Sequence, residues 1–158
     1  MIYSIHPDQL KKAKAAWDEA AGMTANQWGH SKSIVIFSPD GYKDLENGHQ
    51  NLEVLINPCY TPQNNSQKSK WEGCFSMPLT VCNVTRPTVI TAKYQNIKGE
   101  WITKDLTGFP ARVFQHETDH SNGCLCEAPG GTGKCLEKRT FQFKEEVDKF
   151  YKDLKVVR

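Results

Sequence analysis

No stretch of this 158-residue sequence approaches the roughly 20 consecutive apolar residues that a membrane-crossing helix needs. The opening Met1-Ile2-Tyr3-Ser4-Ile5-His6-Pro7 has neither a secretory hydrophobic region nor an Arg-rich transit pattern, so a cytoplasmic protein is expected. There is no block of one charge. Lys and Arg total 20 against 18 Asp and Glu, a formal charge of +2, so neither a nucleic-acid surface nor a membrane surface is expected. No C-x-x-C pair is present, which argues against a structural zinc ribbon. Cys59, Cys82, Cys124, Cys126 and Cys135 read as reduced packing residues, because free cysteine is commonly buried. The Walker spacing is missing around Pro129-Gly130-Gly131-Thr132-Gly133, so this segment reads as a turn rather than a phosphate cradle. With no repeats and no linker, residues 1–158 read as a single domain, long enough to bury its own core.

The elements that are present give an α+β order. From Pro7 to Ala21 the chain is rich in Ala, Lys, Glu and Leu, with Leu10, Ala13 and Trp17 forming one stripe, and reads as an N-terminal helix. Ser33 to Phe37 and Leu52 to Asn57 are short strands. Residues 60 to 70 and Gly41 to Gly48 are polar and read as loops. Between Leu79 and Thr103 lies antiparallel strand material: Thr88 to Ala92 is the clearest run, and Asn96-Ile97-Lys98-Gly99 turns the chain into Trp101-Ile102-Thr103. Phe143, Val147, Phe150 and Leu154 mark a C-terminal amphipathic helix from Leu136 to Lys155. The expected architecture is antiparallel strands around a central helix, with helices at both ends.

The central helix carries His116-Glu117-Thr118-Asp119-His120, which fits H-E-x-x-H. Pro110 suits a first turn, Val113, His116, Glu117 and His120 share one face, and Asn122-Gly123 is a C-terminal stop. One turn apart, the two imidazoles can meet a single divalent metal with Glu117 beside them as a base. A His pair on a helix also occurs on a solvated or core-facing surface, so the motif alone leaves metal binding open. A catalytic metal usually has three protein ligands, and two cysteines compete for the third place: Cys126, where metzincin proteases carry their last histidine, and Cys74.

Glu72-Gly73-Cys74-Phe75-Ser76, followed by Gln115-His116-Glu117-x-Asp119-His120-x-x-Gly123, resembles two signature motifs of the peptide deformylases, E-G-C-L-S and Q-H-E-x-D-H-x-x-G. The family's first motif, G-x-G-x-A-A-x-Q, is matched more weakly by Ala20-Ala21-Gly22-Met23-Thr24-Ala25-Asn26-Gln27. The resemblance implies that Cys74, His116 and His120 hold one divalent metal, with a water in the open fourth place. Ferrous iron is the ion expected in the cell, and zinc, nickel or cobalt are able to replace it. It implies removal of the N-formyl group, as formate, from formylmethionyl peptides or nascent chains at the ribosome, by a monomer. Glu117 would carry the proton, while the Gln27 amide, the backbone N–H of Cys74 or Phe75 and the metal would stabilise the charge growing on the formyl oxygen. Gly22, Glu72, Phe109, Arg112 and Val113 would contact substrate, Gly22 by letting its backbone approach closely. Asp119 and Arg86 are expected to pair near the site.

Four positions depart from the family pattern. Ala20, Thr24 and Asn26 replace a glycine, an alanine and a proline. Arg112 stands where an apolar residue usually lines the methionine pocket, and a guanidinium there is costly to bury without a partner. An altered first-residue preference is the expectation. Two other readings stay open: a zinc peptidase using Cys126, Glu127 or Glu137, and a deformylase-like binding protein without turnover.

Overall fold

Inward and outward residues alternate along Val89–Gln95, where Ile90, Ala92 and Tyr94 are buried, as a strand with one face on a core requires. The computed structural model describes residues 21–39, 51–125 and 133–154, and arranges their strands in two antiparallel sheets. In spatial order the first sheet is β1 (Gly22–Thr24), β2 (Ile34–Phe37), β3 (Glu53–Pro62), β6 (Val89–Gln95) and β7 (Trp101–Thr107). The second is β4 (Gln67–Cys74), β5 (Met77–Pro87) and β8 (Lys134–Thr140). Among the described residues two α-helices accompany them, α1 (Gly108–Ser121) and α2 (Lys144–Leu154), with a short 3-10 turn at Ala25–Trp28. The fold is therefore α+β, built from antiparallel sheets. The expected N-terminal helix up to residue 20, the Gly41 to Gly48 loop, most of the Pro129 turn, Cys126 and Glu127 lie outside the described residues. Among the described residues no helix is long and apolar enough to cross a membrane.

Helix α1 is the pivot. Its Ala111, Val113 and Phe114 join Val35, Phe37, Leu55 and Ile90 of the first sheet in one core. Phe114 meets Phe37 edge to face at 5.9 Å and lies 6.5 Å from Tyr60, which fixes the rotation of the helix about its axis. Each fully buried large apolar side chain here contributes roughly 1.5–3 kcal/mol. The same helix also buries Gln115, Glu117, Thr118, Asp119 and His120, and buried polar groups need partners. The Gln115 side-chain NH₂ donates to the carbonyls of Ala111 and Pro87, 2.9 and 3.0 Å away.

Three sequence expectations change. Residues 60 to 70 are mostly strand, since β3 runs on to Pro62 and β4 begins at Gln67. β4 is a sheet edge whose first four residues are exposed, so it lacks the apolar alternation that marks a half-buried strand. Residues 136 to 140 belong to β8, an exposed edge strand, and the helix begins only at Lys144. On α2 the buried residues are Val147 and Tyr151, whereas Leu154, and Phe143 just before the helix, are exposed. Among the cysteines read as packing residues, Cys82 is buried, Cys59 is exposed and Cys124 and Cys135 are intermediate.

Candidate metal centre

The third ligand candidate arrives from the second sheet. β4 ends at Cys74, and a tight hairpin through Phe75 and Ser76 returns the chain into β5. This places the Cys74 thiol against the polar face of α1, where Sγ lies 2.6 Å from His120 Nε2. Among the described residues, Cys74, His116 and His120 form the one group able to hold a metal ion, each offering a ligand atom within 4.8 Å of the others. A thiol and two imidazoles suit zinc or iron. Burial pushes the Cys74 thiol up, but hydrogen bonds from the two histidines outweigh it and bring it down to about 5, so the thiolate is ready at neutral pH.

Behind the ligands lies a buried set of charges. Glu72, two residues before Cys74 on β4, accepts from His116 Nδ1 at 2.9 Å. That bond fixes the imidazole and leaves Nε2 as its metal-facing nitrogen. Arg86, on β5 and 1% exposed, donates to Glu72 at 2.7 and 3.0 Å and to Asp119 at 2.8 Å. The Arg86–Asp119 pair expected from the sequence is thus present. Burial raises the Glu72 carboxyl, yet Arg86 and the His116 bond outweigh it and hold it well below the usual carboxylate range. Tyr60 Oη donates to the other Asp119 oxygen at 3.0 Å. Sequence reasoning missed Tyr60, because an irregular register between Ile56 and Cys59 of β3, with Asn57 at φ 52°, shifts which residues face inward.

Glu117 lies in a cleft of about 640 Å³ that also includes Gly22, Gln27, Cys74 and His116. It is 6% exposed, and its Oε2 is buried with no hydrogen-bond partner. Burial raises its pKa, although the neighbouring histidines oppose the shift. Gly22 makes room for it: a Cβ there would stand 2.5 Å from Glu117 Cγ. The glycine accommodates the Glu117 side chain and also lines the cleft. Gly73 is required in the same way, since a Cβ would lie 2.1 Å from Tyr151 Oη of α2.

Gln27 is oriented by its own backbone turn. Its Oε1 accepts from the Thr24 N–H at 2.9 Å, which directs the amide NH₂ toward Ser76 Oγ at 3.5 Å on the cleft side. Phe75 lines the cleft from the hairpin and is 47% exposed. Phe109 and Val113 line it from α1. Glu72 also borders the cleft, but both its oxygens are taken by Arg86, Arg112 and His116. Arg112 has the partners that its burial demands: Glu72 Oε1 at 2.6 Å, the Val84 carbonyl at 3.0 Å and the Lys68 carbonyl. Asn26, in place of the expected proline, donates to the His120 carbonyl and ties the 3-10 turn to α1. Val147 and Tyr151 of α2 also line the cleft; the sequence presented Val147 only as part of a packing stripe and gave no sign of Tyr151. Glu137, a ligand for the peptidase alternative, pairs with Arg139 on β8 instead.

A central H-E-x-x-H helix that meets a cysteine at a strand end defines a Cys-His-His metalloprotein frame. The polypeptide deformylase family model matches residues 5–128, and the chain belongs to that family. Peptide deformylase 1 of Nitrosomonas europaea is 41% identical over 108 residues, covering 66% of this chain and 60% of that protein. The peptide deformylase structure from Thermotoga maritima matches with a TM-score of 0.61 at 30% identity, covering 75% of this chain and 74% of the other. The structure from Synechococcus elongatus in complex with actinonin gives a TM-score of 0.63 at 26% identity, over 78% and 68%. The chain spans 60% of the length of the first two curated relatives.

Proposed function

We propose that this protein is a metal-dependent peptide deformylase that removes the N-formyl group, as formate, from formylmethionyl peptides. The observation that carries this reading is the convergence of Cys74, His116 and His120 within 4.8 Å of one another, with Glu117 in the same cleft. Cys74, His116 and His120 would hold one divalent ion, ferrous iron in the cell, with zinc, nickel or cobalt as replacements. When bound, such an ion supplies Lewis acidity and brings the pKa of a water toward neutrality. Glu117 takes the proton of the attacking water and delivers it to the leaving amine as the formyl C–N bond breaks. The products are formate and a free N-terminal amine. The Gln27 amide and the Phe75 N–H donate to the formyl oxygen as its charge grows. The substrate is a formylated peptide or a nascent chain at the ribosome, and the protein acts as a cytoplasmic monomer with one catalytic domain over residues 1–158.

The charge on Arg112 does not set the substrate preference in this reading, because its guanidinium is engaged by Glu72 and two carbonyls. Phe109, Val113, Met77 and Leu79 leave an apolar wall suited to methionine. The test compares formate release from formyl-Met and formyl-Glu peptides by the nickel-loaded protein. Formyl-Met is expected to be faster by roughly tenfold or more, the discrimination that apolar pockets reach. Faster release from formyl-Glu would restore the altered-preference reading, and formate from neither would count against deformylation.

A further inference from the structure

The ligands of the candidate centre come from two elements, Cys74 from β4 and His116 and His120 from α1, so their alignment depends on what braces the helix to the sheet. Arg112 is one helical turn before His116 and makes that brace directly. Its Nη1 donates to Glu72 Oε1 at 2.6 Å and to the Val84 carbonyl of β5 at 3.0 Å. Its Nη2 donates to the Lys68 carbonyl of β4. One guanidinium on α1 therefore grips both strands of the hairpin that carries Cys74.

We propose that Arg112 is a positioning residue for the metal centre, acting through Glu72 on His116 and through β4 on Cys74. The geometry favours this over packing alone for two reasons. First, Glu72 Oε1 is held jointly by Arg112 and by Arg86 Nε, at 2.6 and 2.7 Å, while Oε2 holds His116 Nδ1 at 2.9 Å. The two guanidinium groups fix the plane of the carboxylate, and the carboxylate fixes the imidazole. Second, Arg86 is shared between two buried acids, Glu72 and Asp119, whose side chains are 6% and 10% exposed. A single cation cannot balance both, and a buried acid left unbalanced would not hold one geometry. Arg112 supplies the second positive charge. Only the planar fork of arginine reaches a carboxylate and two carbonyls at once, which the point charge of lysine does not.

This inference rests on the reading of Cys74, His116 and His120 as metal ligands. It is tested by titrating the metal-free full chain with Co²⁺ and following its ligand-field absorption. The unaltered protein, Arg112→Met and Arg112→Lys are compared at a temperature where circular dichroism shows each to be folded. Arg112→Met is expected to bind Co²⁺ roughly 10- to 100-fold more weakly, the usual loss when an outer-shell partner is removed, with altered band positions. Arg112→Lys is expected to fall between the two. A residue that only packs would lower Tm without moving affinity or spectrum. If Arg112→Met does not fold, Arg112→Lys decides, several-fold weaker binding supporting the proposal and unchanged binding overturning it. Co²⁺ binding by folded Arg112→Met as tight as that of the unaltered protein overturns the role of Arg112 alone. Absence of Co²⁺ binding in the unaltered protein overturns the metal reading beneath it.

Discussion

Replacing Glu117 by alanine is expected to lower formate release by roughly 10²- to 10⁴-fold, the span general acid–base groups supply, while metal content stays unchanged. The expectation follows from where Glu117 sits. It is one residue after His116 on α1, so it borders the ligand cluster without belonging to it. Its side chain lines the cleft next to the candidate ligands, where a substrate or water proton can reach it. Burial also raises its pKa, which keeps the carboxylate a competent base and its conjugate acid a usable donor. Gly22 leaves the room this position needs, because a Cβ there would stand 2.5 Å from Glu117 Cγ. Kinetics with formyl-Met-Ala-Ser and metal analysis on the same sample check the prediction. Retention of more than about a tenth of the rate, far outside that range, would remove Glu117 from the chemistry.

Changing Cys74 to alanine is expected to abolish stoichiometric metal binding, whereas Cys126→Ala keeps it. Cys74 is already a thiolate near neutral pH, with its pKa down at about 5 because the histidines outweigh its burial. A catalytic site of three protein ligands that loses its only thiolate should weaken by more than the roughly 10- to 100-fold that loss of an outer partner costs. The comparison also separates the two fold-compatible chemistries, since a peptidase using Cys126 would show the reverse pattern. Metal content by elemental analysis after dialysis reads the outcome. Full occupancy in Cys74→Ala, or its loss in Cys126→Ala, would reassign the third ligand.

Much of the ligand geometry was legible because it is local. His116 and His120 share a helix face by spacing alone, and Glu117 follows from the same turn. Cys74 was reachable only through the resemblance, because its approach to α1 depends on how the β4–β5 hairpin docks. The partners of Arg112 were hidden for the same reason: Glu72 is 40 positions away in sequence and meets it through sheet packing. The first half of β4, residues 67 to 70, reads as loop in the sequence because an exposed edge strand can be polar on both faces. Residues 136 to 140 of β8 read as part of the terminal helix, since Lys134–Thr140 has no inward-facing apolar alternation to mark it as a strand. Tyr60 depended on the irregularity in β3, and Tyr151 on the notch that Gly73 leaves beside Cys74.

These misses have a common physical form. Each concerns an edge, an irregular register or a contact between elements distant in sequence, where tertiary packing overrides local pattern. The buried acids and arginines behind the ligands are the opposite case, since charged groups with almost no exposure demand partners wherever the fold places them. Arg112 illustrates both. Its charge stands out in the sequence, and in the structure it lines the cleft while its guanidinium bonds Glu72 and two carbonyls.

The most direct measurement is product analysis by mass spectrometry after anaerobic incubation of formyl-Met-Ala-Ser with protein holding one ferrous or nickel ion. Formate and intact Met-Ala-Ser in equal amounts are the expected products. Cleavage of a peptide bond with the formyl group retained, or no turnover by fully loaded protein, would contradict deformylation as the function of this site.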